Sequence, residues 1–112
     1  MANADELRQI ALSLKGTTEA PHFDRAAFKA ARIYVTLAAD GQSANLKFTL
    51  EDQEMKCLIA PHAFSPVPNA WGKQGWTTAN LAALTAPELS HALELAWRNA
   101  APTKRTKQVN EQ

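Results

Sequence analysis

Two runs of alternation stand at the centre of the chain. Ile33, Val35, Leu37 and Ala39 alternate with Tyr34, Thr36 and Ala38 before Asp40-Gly41 turns the chain. Ala44, Leu46, Phe48 and Leu50 then alternate with Ser43, Asn45, Lys47 and Thr49. A period of two is the pattern of strands with one face buried and the other in water. It predicts a hairpin over residues 33–50 with Leu37, Leu46 and Phe48 turned to the core.

Three amphipathic segments flank this hairpin. Residues 4–15 carry Leu7, Ile10, Ala11 and Leu14 at the i, i+3, i+4, i+7 spacing of one helical face. Asn3 suits an N-cap, Glu6 has capping-box spacing, and Gly16 suits a C-cap. Thr49 heads a second helix over 50–60, with Glu51 and Asp52 in its first turn. Met55, Leu58 and Ile59 form its expected apolar stripe, and Pro61 stops it. The third start signal is the strongest. Thr85-Ala86-Pro87-Glu88 is a capping box with Pro in the first turn, and Leu84 and Leu89 suit a hydrophobic staple. Leu89, Leu93, Ala96, Trp97 and Ala100 make its inner face.

The remaining segments read less cleanly. Thr17 to Pro21 reads as a connection, and His22 to Ala31 as a first strand, although Arg25 to Arg32 is Ala-rich enough for a helix. Pro61, Pro66 and Pro68 limit any strand in 62–69 to an irregular or edge one. Trp71 to Trp76 reads as a turn, and Thr77 to Leu84 resumes alternation. The order α-β-β-β-α-β-β-α predicts an α+β domain over residues 1–101. It is an open antiparallel sheet of about five strands with the N- and C-terminal helices packed on one face. Residues 102–112 form a polar, basic tail expected to be disordered. The other sheet face is then left to solvent, with Tyr34, Thr36, Asn45, Lys47, Trp76, Thr78 and Asn80 on it, joined by Arg25 and Lys29.

Composition narrows the class without naming a function. The 112 residues are 46% hydrophobic and 21% charged, enough for one modest core. The lone Cys57 excludes an internal disulfide and argues against a Cys-based metal site; a buried, inert thiol is expected. The first residues lack the basic and apolar regions of a signal peptide, and no run is long enough for a membrane span, so a soluble cytoplasmic protein is expected. The net charge of +1 is unevenly spread. Residues 22–50 hold Arg25, Lys29, Arg32 and Lys47 against Asp24 and Asp40, whereas residues 51–60 hold three acids against Lys56. The sheet leans basic, far short of a dedicated nucleic-acid footprint.

Few residues carry candidate chemistry. Lys47 projects from the wet face, where it serves either solubility or contact with phosphate. Trp71 and Trp76 flank Lys73, an arrangement suited to stacking on unpaired bases. Trp71 is expected to close the core at the sheet end, with Trp76 evenly balanced between core and outer face. His22, His62 and His91 have no second ligand at helical spacing, so no metal site is read. His22 with Asp24 is the one pair suited to general-base chemistry, and no nucleophile accompanies it. Of Glu51, Asp52 and Glu54, two are explained by their helix start, and iron binding through so few acids is not expected.

Glu19-Ala20-Pro21-His22-Phe23, Phe28-Lys29, Asn45-Leu46-Lys47-Phe48-Thr49, Pro66, Asn69-Ala70-Trp71-Gly72 and Gly75-Trp76-Thr77 together resemble the MmcQ/YjbR family of small bacterial proteins. The likeness runs from about Leu7 to Trp97. It implies a fold like that of the bacterial frataxin CyaY, also described as a double wing, and a DNA-binding role. The expectation is thus a non-catalytic binding module without cofactor or metal. Arg25, Lys29, Tyr34, Asn45, Lys47, Trp71, Lys73 and Trp76 are its candidate nucleic-acid contacts. DNA would be held weakly and salt-dependently by a monomer or weak dimer that has no membrane role. The alternative is a protein-interaction adaptor using the same sheet face.

Overall fold

The computed structural model describes residues 1–100; the tail expected over 102–112 lies outside the described residues. In chain order the elements are α1 (Ala4–Ser13), β1 (Thr18–His22), β2 (Arg25–Lys29), β3 (Ile33–Leu37), β4 (Ser43–Lys47) and α2 (Leu50–Ile59). β5 (Phe64–Pro66), β6 (Trp76–Asn80) and α3 (Ala86–Ala100) complete the set. Short 3-10 turns occupy Gly72–Gln74 and Leu81–Ala83, the second replacing the end of the strand expected to reach Leu84. The strands form one antiparallel sheet in the order β1-β2-β3-β4-β6-β5. The α+β architecture with an open antiparallel sheet is the one that the alternation implies.

The sheet has six strands, not about five. Thr18–Pro21, read as part of a connection, and His22, read as the start of the first strand, form the edge strand β1; it pairs with β2 across the two-residue turn Phe23-Asp24, which splits the strand expected over 22–31. Every residue of β1 is exposed, so it leaves no alternation to read. Its Pro21 fits only an edge, where one side of the strand needs no ladder partner. β5 is the opposite edge and carries Pro66, as its prolines suggest.

Phe28, Val35, Leu37, Ala44, Leu46, Phe48, Phe64 and Ala79 fill the inner face, all with at most 4% exposure. α1 and α3 cover them with Leu7, Ala11, Leu89, Leu93 and Ala96, all fully buried. Burying a side chain of that size contributes about 1.5–3 kcal/mol, so this layer dominates stability. The α1 N-cap forms as read, with Asn3 Oδ1 accepting from the Glu6 amide at 2.9 Å. The α3 capping box closes in both directions: the Thr85 amide donates to Glu88 Oε1 at 2.8 Å, and the Glu88 amide to Thr85 Oγ1 at 3.2 Å. Those hydrogen bonds hold the Glu88 carboxyl below its usual range.

Two placements differ from the pattern. Tyr34, expected on the wet face, is fully buried, and its hydroxyl meets Thr17 Oγ1 at 2.8 Å and donates to the Ala11 carbonyl at 3.4 Å. The cause is a register shift. Lys29 pairs with Ile33 but Phe28 pairs with Val35, so Tyr34 is an extra residue on β3. A bulge of this kind breaks strict alternation and turns the extra side chain. α2 also departs from expectation: Leu58 is 79% and Ile59 72% exposed, and Met55 is exposed as well. Its buried residue is Gln53, whose Nε2 donates to the carbonyls of Gly72 at 2.9 Å and Trp76 at 3.1 Å. Cys57 is half-buried, and burial pushes its thiol up.

Candidate binding cleft on the outer sheet face

The side of the sheet opposite α1 and α3 carries Arg25, Ala27, Thr36, Asn45, Lys47, Trp76 and Thr78 along the paired strands. The β1–β2 turn and the segment 67–71 rise beside it and enclose a cleft of about 550 Å³. The walls are His22, Phe23, Asp24, Val67, Asn69 and Trp71, and the remaining lining is Arg25, Ile33, Thr36, Asn45 and Trp76.

Polar groups beneath the cleft are held by one another. Arg25 Nε donates to Thr36 Oγ1 at 2.9 Å and its Nη2 to the Thr36 carbonyl at 3.1 Å. Thr78 Oγ1 donates to Asn45 Oδ1 at 2.9 Å. On the wall, the Trp71 amide donates to Asn69 Oδ1 at 2.9 Å. The Trp71–Trp76 turn is fixed from behind by Gln53, by the Val67 amide on the Trp76 carbonyl at 3.0 Å, and by two glycines. Gly75 has φ +108 and a Cβ there would lie 2.0 Å from the Phe48 carbonyl oxygen; at Gly72 a Cβ would lie 1.9 Å from that of Val67. Only glycine permits such close backbone approach. The cleft therefore rests on rigid elements.

The structure gathers some of the expected residues and separates others. Arg25, Asn45, Trp71 and Trp76 line the cleft together. Trp71 does not close the core: it is 58% exposed, because the turn projects it away from the sheet end. Tyr34 is withdrawn to the inner face by the bulge. Lys29 and Lys73 are exposed but do not line the cleft. Lys47 stands beside it, opposite Trp76 across the β4–β6 ladder. Burial, and then the nearby positive charge of Arg32, lower the Lys47 pKa. Arg32 itself donates through Nη2 to the Asn99 carbonyl at 3.1 Å. Among the described residues the ion pairs are Arg8–Glu19 and Arg98–Glu94, so neither Arg32 nor Lys47 is neutralised by a salt bridge.

The pattern-based reading missed Phe23, Ile33, Val67 and Asn69 in the lining and Arg32 beside Lys47. Phe23 is 95% exposed with φ +59. An apolar residue in a two-residue turn after Pro21 was the available signal. His22 and Asp24 both reach the cleft wall, although no hydrogen bond joins them and His22 instead packs edge-on against Phe23 at 4.9 Å. Among the described residues no three His, Cys, Asp or Glu side chains cluster to hold a metal. A second depression, near the N-terminus of α1, holds the Arg8–Glu19 ion pair at 3.0 Å and is also lined by Asp24, Arg25 and Asp40.

Residues 12–99 match the YjbR family model. No curated protein matches the chain. Among solved structures, the fold is similar to the crystal structure of a Deinococcus radiodurans protein with a DUF419 domain. The TM-score is 0.79 at 23% identity, over 96% of this chain and 84% of that one. With an α+β sheet, an inner helical layer and a family model spanning most of its length, the chain belongs to the YjbR family.

Proposed function

We propose that the protein is a non-catalytic binding module that takes DNA on its outer sheet face. The observation that carries this reading is a surface on which an exposed and a half-buried indole adjoin a lysine that makes no salt bridge among the described residues. Trp71 and Trp76 line the cleft, and Lys47 stands opposite Trp76 on the neighbouring strand, with the charge of Arg32 felt at Lys47. Aromatic rings supply base-stacking surface, and the cations supply phosphate attraction. Fluorescence-anisotropy titration of labelled DNA at about 50 and 200 mM salt tests it, since phosphate contacts weaken steeply across that range. The expected result is micromolar binding at low salt that falls at high salt and is lost in the Lys47→Ala/Trp76→Ala double variant. Undiminished binding by that variant removes this surface from the reading.

A protein-interaction adaptor is the second reading, favoured by the apolar share of the same cleft, where Phe23, Ile33 and Val67 line it with the two indoles. Salt-insensitive association with one protein, and none with DNA, selects it. Neither reading requires a cofactor or a membrane. No helix among the described residues is long and apolar enough to cross one.

A further inference from the structure

We infer that the strand taken by this face is single-stranded, with one unpaired base entering the cleft between Phe23 and Trp71. The inference rests on the DNA reading and adds the form of nucleic acid to it. Its first support is Phe23. The tip of a two-residue hairpin turn with φ > 0 is a glycine position, and a bulky side chain there is strained. Here that position holds Phe23 at φ +59, with its ring 95% exposed at the mouth of the cleft. The fold gains no burial from this ring, so strain and exposure together mark it as a contact.

The second support is the shape and chemistry of the cleft. Trp71 faces it from a separate loop, and Ile33 and Trp76 add apolar surface within a volume of about 550 Å³. Planar rings that are apolar on their faces and polar at their edges suit such a space. For the edge, Asn45 and Asn69 each use only the side-chain oxygen among the described residues, which leaves both amide nitrogens as donors. A base offers stacking faces and acceptor atoms in that combination. Duplex DNA cannot place a base there without extruding it from the stack. A duplex also needs a broad basic footprint. On this face the cations are sparse, and Arg25 is already engaged by Thr36.

The test is anisotropy titration of three probes at about 50 mM salt: a labelled oligothymidylate, a duplex of equal length, and an abasic strand of equal length. The oligothymidylate should bind at least about tenfold tighter than either other probe, the scale of one stacked base. Phe23→Gly and Trp71→Ala should each weaken oligothymidylate binding about tenfold. Phe23→Gly should also keep or raise the Tm, because glycine relieves the turn, so lost affinity in that variant is not lost folding. Quenching of tryptophan fluorescence by the oligothymidylate, absent with the abasic strand, gives a second readout. Equal or tighter duplex binding, equal abasic binding, or unaltered affinity in both variants overturns the single-strand inference and leaves the DNA reading in place. Absence of binding to all three probes overturns the DNA reading itself.

Discussion

Tyr34 shows how one residue can change sides without any change in the sequence pattern around it. Its neighbours alternate correctly, and Thr36 and Leu37 lie where alternation puts them. The extra residue in β3 is defined by the pairing of β3 with β2, which no local window contains. Buried, the Tyr34 hydroxyl is held by Thr17 and the Ala11 carbonyl. Tyr34→Phe should therefore cost about 1 kcal/mol in denaturant titration, the usual net worth of a buried hydrogen bond, and leave DNA affinity unchanged. The pH dependence follows from burial, which raises the phenol above its ordinary value against the opposing effect of Thr17. The folded state thus binds this proton more tightly than the unfolded chain does. Its stabilisation is complete below the unfolded phenol pKa and is lost as pH rises towards the folded value. Tyr34→Phe should accordingly flatten the alkaline limb of the stability profile, as read by chemical denaturation between about pH 8 and 11.

At the scale of elements, α2 gives the sharpest contrast between propensity and packing. Its limits, its Thr49 cap and its stop before Pro61 are all local features, and all are where the sequence places them. Which side it turns inward is a tertiary matter. The helix packs beside the short edge strand β5 rather than over the centre of the sheet, and Gln53 faces the Trp71–Trp76 turn. Met55, Leu58 and Ile59 consequently face outward. Leu58→Ser should change stability by no more than about 0.5 kcal/mol, as surface substitutions do. Gln53→Ala should cost about 1–3 kcal/mol, because it removes a buried amide donor that bonds the Gly72 and Trp76 carbonyls alongside the Gly75 and Val67 amides. Thermal melts of the two variants settle the orientation, and the reverse order would place the apolar stripe inward. The same distinction explains what was legible elsewhere. The β3–β4 hairpin, α1 and α3 bury a periodic face under one layer, so period and caps suffice. β1 buries nothing, and the cleft joins a hairpin tip, a loop and four strands that span residues 25 to 80 of the chain. Lys47, Asn45 and Trp76 could be assigned to the outer face from alternation alone. Phe23 and Val67 could not, because only the folded chain brings them there.

For the molecule as a whole, placing α1 and α3 on one side of the sheet leaves the opposite side open for the proposed binding, but with little charge for it. The net charge is +1, and the cations at or beside the cleft are Arg25, Arg32 and Lys47. With Arg25 engaged by Thr36, two phosphate contacts imply a slope of log affinity against log salt between about −1 and −2, far shallower than a large DNA-binding surface gives. Lys47→Ala should reduce the magnitude of that slope by about 1, the signature of one lost phosphate contact. Lys73→Ala should leave it unchanged, because Lys73 lies off the cleft despite its place between the two indoles. A salt series of anisotropy titrations on the three proteins measures both effects. Equal loss of slope in the two variants would move the phosphate path onto the Trp71–Trp76 turn and away from the sheet. A slope near zero in the unaltered protein would remove phosphate from recognition, and the apolar walls of the cleft would then point to a protein partner on the same face.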